Sequence, residues 1–418
     1  MTHVKSRFIY HSLFVYKYSN PCLSYSTSCC LKASSNGHQA GDQKFKSYNE
    51  EKEIKHKGFM KAWQLNSFDG VKAIQHSDAV KVPYITDPND VLVEVCASSV
   101  NPLDLAMANG YGQNVLEAIR QVTKGSLPDI FSGQPEFPFP LGRDFSGHVV
   151  DKGFNVHDLD IGDQVFGVVS PHRPGAHAEY TVTSAWEVVR KPQKLNHTES
   201  AAIPYAALTA WSALCVTGHI SSRNASKMRV LVLGGSGGVG TFSIQLLKHW
   251  GAEVVTTCGP EAVELMLRLG ANVALSYTDS ETEGELLSMK GFDVILDAAG
   301  TNNPKYLDML KPWKYSKYVT LSPPFLSNTD TLGLAGGLLK NVFELTSSNI
   351  LSHIKGSSYR WAFFTPNRYA LKEVRNLLDD GKIRPIVDSV FDYDNLPDAY
   401  EKLKNGSTQG KVVIHFER

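Results

Sequence analysis

The sequence predicts an α/β protein in two parts, a β-rich part followed by a doubly wound parallel sheet. Three observations predict it. Across residues 58–191, short β-branched runs end in Gly, Asp and Asn-Pro turns, the texture of a small β unit. After Pro192, strands and helical segments alternate strictly, which implies parallel strands covered on both faces. Within that series the apolar run Val230–Leu233 meets a glycine turn, Gly234-Gly235-Ser236-Gly237-Gly238-Val239-Gly240, and a helix-forming run follows.

The start of the chain differs from the rest. Residues 1–41 hold Lys5, Arg7, Lys17 and Lys32 but no Asp or Glu, and they are rich in Ser and Thr. A basic, hydroxyl-rich, acid-free leader has the composition of a mitochondrial transit peptide. Two rival readings are a plain disordered tail and a secretory signal with Phe8–Tyr16 as its apolar stretch, and the latter meets His11 and Ser12 inside that stretch. Residues 1–45 are therefore read as a transit peptide, and the charged residues 46–57 as a solvated linker.

In the body, Lys61–Leu65 and Asp90–Cys96 read as strands, the second running on to a turn at Asn101-Pro102. Gly162–Gly167 and Gly175–Val182 each read as a turn leading into a strand. Beyond Pro192, Arg229–Leu233, Glu253–Thr257, Asp293–Leu296 and Lys317–Leu321 read as strands, with helices at Thr241–Trp250 and Glu261–Leu269. After Pro366 a helix at Arg368–Asp380 precedes strands at Ile386–Phe391 and Lys411–Phe416. That last segment has no βαβ partner of its own, so it is expected to return to the first part. The resulting divisions are residues 58–191, 192–365 and 366–418.

Composition excludes several function classes. Forty-two Lys and Arg balance forty-two Asp and Glu, at a pI near 7.2, so no global positive field draws the chain to nucleic acid. No uninterrupted apolar stretch approaches the roughly 18–20 residues of a membrane-spanning helix, so none is expected. The six cysteines form no CxxC pair, which points to a reducing compartment without a structural zinc. No period of roughly 20–50 residues repeats.

The glycine turn carries the chemistry. Gly235 is expected to allow the tight turn, Gly237 and Gly238 to let backbone approach a pyrophosphate, and Gly240 to let helix and strand pack. Free N–H groups at the helix start then face the anion. An NAD site places an acid about 20 residues on, at the end of the second strand, to hold the ribose 2′-hydroxyl. Here that end reads Thr256-Thr257-Cys258-Gly259, without an acid, which favours NADPH; the nearest following basic residue is Arg268.

Five ordered motifs resemble the medium-chain dehydrogenase/reductase superfamily, in its zinc-free quinone-reductase branch. They are Val100–Asp104, Leu141–Gly147, Gly162–Gly167, Ala202–Pro204 with Leu208–Trp211, and the glycine loop. Gly142-Arg143-Asp144, Tyr359–Phe364 and Gly381–Pro385 resemble a mitochondrial subgroup of that branch. The resemblance covers the chain from about Gly58 onward. It implies a GroES-like β domain interrupted by a Rossmann domain, and NADPH-dependent reduction of quinones or related intermediates of ubiquinone synthesis in the mitochondrial matrix. It further implies protein partners such as a reticulon or enzymes of the ubiquinone pathway, and a homodimer as the common assembly.

Carried over by position, the implied cofactor contacts are Ser236, Gly238 and Val239 in the glycine loop, Gly259 after the second strand and Tyr277 after the next. Leu321, Ala362 and Phe364 follow, then Ser407, Thr408 and Gln409 in the pre-terminal loop. One departure stands out: relatives often carry a basic residue before the terminal Gly-Lys, where this chain has Ser407-Thr408-Gln409. Zinc alcohol dehydrogenases need a thiolate close before the Asp of the first motif and a His-Glu in the second. Asn101–Asp104 and Gly142–Asp144 supply neither, so no metal is expected in the cleft. His172 and His177 read as surface or cleft residues rather than ligands.

Without metal, the protein's task is to position a nicotinamide against an electron-poor carbon and to supply one proton. Tyr111, shortly after the first motif, is the candidate donor, against the plainer reading of a loop tyrosine packed on the cleft. Asn101 and Asp104 either contact substrate or cofactor or fix their turn; Arg143 either meets the cofactor or pairs with the neighbours of Asp144. The long stretch Gln113–Glu136 is expected to wall the cleft and to act as a lid. Two rival readings stand beside the quinone or enone reductase. One is an enoyl thioester reductase, with Arg120 and Lys124 as the nearby basic residues. The other is a cofactor-binding interaction protein without activity.

Overall fold

A computed structural model of the chain describes residues 58–123, 137–406 and 408–417. The leader, the linker, Lys124, the rest of the stretch up to Glu136, and Ser407 lie outside the described residues.

The first sheets follow from short alternating runs. β1 (Phe59–Leu65) pairs antiparallel with β2 (Ile74–Lys81). The eleven-residue β3 (Asp90–Val100) is buried along most of its length and is the hub of a seven-stranded sheet. A helix at Pro102–Ala108 follows, then a second at Gln113–Thr123. β4 (Phe139–Pro140) completes the small sheet in the order β2-β1-β4. β5 (Asp144–Lys152), β6 (Gln164–Val168), β7 (Tyr180–Ser184) and β8 (Val188–Arg190) extend the larger one. Its order is β15 (Val387–Asp392), β16 (Lys411–His415), β3, β5, β6, β8, with β7 also on β3. Inside it, Val91, Val93, Val95, Phe145 and Val165 form one apolar core with Leu396 and Tyr400.

A helical run from His197 to Thr217 leads out of this part. By length and composition it equals a membrane span, longer than the sequence reading expected, but 72% of its most apolar window is buried inside the fold. It is a core helix by that measure.

Six parallel strands make the second layer: β9 (Arg229–Leu233), β10 (Glu253–Cys258), β11 (Val273–Ser276), β12 (Val294–Asp297), β13 (Lys317–Thr320) and β14 (Ser358–Trp361). Their order is β11-β10-β9-β12-β13-β14. Because side chains alternate along a strand, Val230 and Val232 pack on one face and Leu231 and Leu233 on the other. Both faces are covered at the centre of the sheet, so β9 and β12 read as near-continuous apolar runs.

The sequence reading contained no element between Leu321 and the Tyr359 run. The structure places a 30-residue helix there, Phe325–Ile354, broken at Gly333 (φ 71°, ψ 171°). Beyond β14, a helix at Arg368–Asp379 leads to β15 (Val387–Asp392), a helix at Leu396–Lys404, and β16 (Lys411–His415). β16 runs antiparallel to β3, with Val412 opposite Val100.

Candidate active site

The parallel sheet reverses its strand order between β9 and β12, and the glycine turn leaves β9 at that crevice. The left-handed step that opens the turn falls on Gly234 (φ 81°), one residue before the position the sequence reading gave it. Gly235 serves packing instead, since a Cβ there would strike Thr256 Oγ1 on β10. A Cβ on Gly240 would strike Gly234 O and the Gly235 backbone, so the helix Gly238–His249 rests directly on the turn.

Gly237, the N-cap of that helix, is different. A Cβ there would meet only Gly234 O, at 3.9 Å, so the space above the helix start is open. The first N–H groups of a helix lack intrahelical acceptors and carry the positive end of the dipole. An open glycine N-cap with such donors fits a dinucleotide pyrophosphate.

A cavity of about 880 Å³ opens from this turn. Gly237, Gly238 and Val239 line it, together with Tyr111, Leu321, Ala362, Phe364 and Thr408. Gly235, Ser236, Gly259, Tyr277 and Gln409 are not lining residues. Ser236 O accepts the Gly410 N–H at 2.8 Å, and the Gln409 N–H donates to Asp388 Oδ1 at 2.7 Å. The first bond, with a bridge between Gly237 and Gly410, clips the pre-terminal loop onto the glycine turn, and the second fastens it to Asp388 earlier in the chain. Gly259 and Tyr277 stand together at the ends of β10 and β11, where the Tyr277 N–H donates to Cys258 O at 3.0 Å.

The described part of the Gln113–Glu136 stretch is a helical wall. Val115, Leu116 and Ile119 face the cavity. Asp330 anchors the start of that helix, accepting the Gly112 N–H at 2.6 Å and the Asn114 N–H at 3.2 Å. Sequence reasoning missed this anchor, because it comes from the helix absent from that reading.

Two tyrosines face the cavity. Burial, and then Asp330, holds the Tyr111 phenol above its ordinary pKa. Tyr205, which sequence reasoning missed, stacks on Phe364 with ring centroids 4.4 Å apart. Burial, and then Asp104, raises its pKa far above the usual phenol range. Both phenols therefore keep their protons at neutral pH. The position of Tyr205 directly after Pro204, where a helix begins within a quoted motif, was the available signal.

The open alternatives now separate. Asp104 fixes its turn, accepting the Asn101 N–H at 2.9 Å and the Gly142 N–H at 3.0 Å. Asn101 lines the cavity and donates to Asp144 Oδ2 at 2.9 Å. Arg143 is fully buried, 3.5 Å from Asp104, and donates to Ser170 O at 3.0 Å and Arg173 O at 3.1 Å. A buried ion pair thus joins the second motif to the first. His172 lines the cavity, with its pKa lowered to about 4 by burial and then Arg173. His177 is neither a surface nor a cleft residue; at 1% exposure it lies in the core, between Ser98 and Tyr400.

A GroES-like β part, a doubly wound sheet and a glycine cradle in one cleft define an oxidoreductase of the medium-chain dehydrogenase/reductase class. Residues 87–193 match the alcohol dehydrogenase GroES-like domain, and residues 269–414 match the family described as zinc-binding dehydrogenase. The chain is 42% identical to "NAD(P)H oxidoreductase RTN4IP1, mitochondrial" of Danio rerio, over 85% of this chain and 91% of that protein. It is 40% identical to the Homo sapiens protein of the same name, over 85% of this chain and 89% of that one. Among solved structures, the quinone oxidoreductase from Coxiella burnetii superposes with a TM-score of 0.68 at 26% identity, covering 86% of this chain and all of that one (100%). The chain belongs to the RTN4IP1 family of medium-chain oxidoreductases.

Proposed function

We propose that this chain is an NADPH-dependent reductase of quinones or closely related enones, working in the mitochondrial matrix on ubiquinone-type intermediates. The observation that carries it is that one cleft joins the open helix N-terminus at Gly237 to an apolar wall formed by Val115, Leu116 and Ile119. In this reading residues 1–45 are the transit peptide, 192–365 the cofactor side, and 58–191 with 366–418 the substrate side. The names of the relatives support the mitochondrial setting. A reticulon, enzymes of ubiquinone synthesis and a second copy of the chain are the protein partners that this reading carries from the family.

Bound there, the dinucleotide supplies the hydride. Gly237, Gly238 and Val239 would hold its pyrophosphate at the helix start. Thr408, Ala362 and Phe364 would frame its nicotinamide end, and Gly259 and Tyr277 its adenosine end. The apolar wall holds a flat, electron-poor ring and excludes water. Tyr111 delivers the proton from a phenol that burial keeps protonated.

NADPH over NADH rests on the absence of a carboxylate at Thr256–Gly259. Glu261 tempers this, since its carboxylate lies 3.1 Å from the position of a Cβ on Gly259. The two nucleotides titrated in one buffer decide it, and tighter NADH binding overturns the preference. For the reaction itself, NADPH consumption with a soluble quinone should be saturable. The Tyr111→Phe variant should lose about 100-fold in kcat. A variant within about threefold of wild type removes Tyr111 as donor and leaves Tyr205 as the phenol to test.

An enoyl thioester reductase has one support, 28% identity to "Trans-enoyl reductase pgmF" of Aspergillus terreus over 96% of that protein. Against it, Arg120 is engaged with Glu117 at 3.0 Å and with His172 O at 3.0 Å rather than free for a carrier phosphate. Turnover of a crotonyl thioester faster than of the quinone would favour it.

A further inference from the structure

The geometry points to a zinc site formed by Cys96, His148 and His197, outside the catalytic cleft. Sγ of Cys96 and one nitrogen of each imidazole all lie within 4.8 Å of one another. Cys96 comes from β3 and His148 from the adjacent β5, and His197 opens the short helix His197–Ala201 that packs across both strands. None of the three lines the cavity at the glycine turn.

The chemistry of the set suits a borderline-soft divalent ion. One thiolate and two imidazoles match zinc, with a water in the fourth tetrahedral position. Bonds of about 2.3 Å to sulfur and about 2.0 Å to nitrogen place ligand atoms roughly 3.5 Å apart. Cys96 Sγ and His148 Nδ1 stand at 3.3 Å, already within that geometry. The two imidazole centroids are 5.0 Å apart and tilted by 53°, so the rings converge without stacking.

A supporting bond orients one ligand. The Ser146 hydroxyl donates to Val165 O at 3.0 Å, so its oxygen is left to accept from His197 Nδ1, 2.8 Å away. Nδ1 therefore carries the proton, and Nε2, buried in the fold, is the nitrogen with the lone pair. Such a bond from the far ring nitrogen is what fixes the tautomer and the orientation of metal-bound histidines.

This ion would staple the helix His197–Ala201 to β3 and β5, just before Pro204 starts the helix that carries Tyr205. No step of hydride transfer runs through it. Its role is to hold the entry to the second part of the fold.

The test uses the full metal-free chain and Co²⁺ as a spectroscopic stand-in for Zn²⁺. Wild type should take up about one equivalent with a thiolate-to-cobalt charge-transfer band and tetrahedral visible bands. Equimolar Zn²⁺ should abolish both and raise the melting temperature. Cys96→Ser should lose the charge-transfer band, and His148→Gln should weaken binding at least about tenfold. Cys215→Ser should change nothing. Near-ultraviolet circular dichroism verifies that each variant is folded, and His148→Gln carries the test where Cys96→Ser is not. No band in wild type, or a full band in Cys96→Ser, overturns the site; the latter would assign the thiolate to another cysteine, such as Cys22, Cys29 or Cys30 of the leader.

Discussion

His177 has no room for a second proton. The Ser98 hydroxyl donates to Asp144 O at 2.7 Å, so it accepts from His177 Nδ1 at 3.2 Å, and Nε2 is left to accept from the Tyr400 hydroxyl at 2.9 Å. The neutral ring is satisfied on both sides. Burial, and then the charges of Arg143 and Lys411, lowers its pKa to about 3. Unfolded, the same ring titrates near 6.5. Between those values the unfolded chain binds the proton and the folded chain does not, so stability is full above pH 6.5 and falls as pH drops toward 3. Its share is about 1.4 kcal/mol per pH unit in that window. His177→Gln, which can still bond Ser98 and Tyr400, should flatten the decline of melting temperature below pH 6.5 while lowering the melting temperature at pH 8. An unchanged slope would assign the acid sensitivity to other groups. The sequence could not reveal this position. His177 follows a Pro-Gly turn and looks exposed, and its partners are 79 and 223 residues away along the chain.

At the scale of elements, the glycine turn was the most legible part of the site, because its spacing is dictated by backbone sterics alone. Only the division of labour shifted, with Gly234 taking the positive φ and Gly235 the close packing. The two remaining roles make a paired prediction. Gly240→Ala puts a Cβ into the Gly234 and Gly235 backbone, where nothing flexible can yield, and should cost about 1–3 kcal/mol of stability. Gly237→Ala meets open space at an ordinary φ of −72°, so it should melt like wild type yet bind the dinucleotide at least about tenfold more weakly. Thermal melts and tryptophan-fluorescence titrations separate the two. Equal nucleotide affinity in Gly237→Ala would move the pyrophosphate elsewhere. The helix Phe325–Ile354 was illegible for the opposite reason. Gly333, Gly336 and Gly337 with several Ser, Thr and Asn give it low intrinsic propensity, and long-range bonds hold it instead. Gly337 packs against the backbone at Thr329, and Asn328 donates to Asn341 Oδ1 at 2.8 Å across the kink.

At the scale of the whole molecule, a single carboxylate ties three strands of the seven-stranded sheet to the cleft and to the helix at Pro204. Asp144 on β5 accepts from Ser99 Oγ at 2.6 Å, from Asn101 Nδ2 at 2.9 Å and from the Tyr205 N–H at 2.6 Å. Lys411, 6% exposed on β16, brings its Nζ to Asp144 Oδ2 at 3.2 Å and to Val100 O at 3.2 Å, and also bonds Asn101 Oδ1. Its stem lies against Gly238, with Cδ only 2.8 Å from where a Cβ would stand. The amino acid order placed Lys411 after a glycine near the C-terminus, but the partners of that ammonium lie in strands and turns that only the fold assembles. Removing the ammonium leaves a buried carboxylate without its cation, a loss of about 3–5 kcal/mol. Lys411→Met should therefore lower the melting temperature strongly and weaken dinucleotide binding, since Gly238 loses its support. Adding Asp144→Asn removes the stranded charge, so the double variant should be more stable than Lys411→Met alone, with a coupling energy of about 1 kcal/mol or more in a denaturant cycle. Strictly additive losses would mean that the two groups act separately and that the hydrogen bonds around Asp144 alone join this sheet to the helix at Pro204.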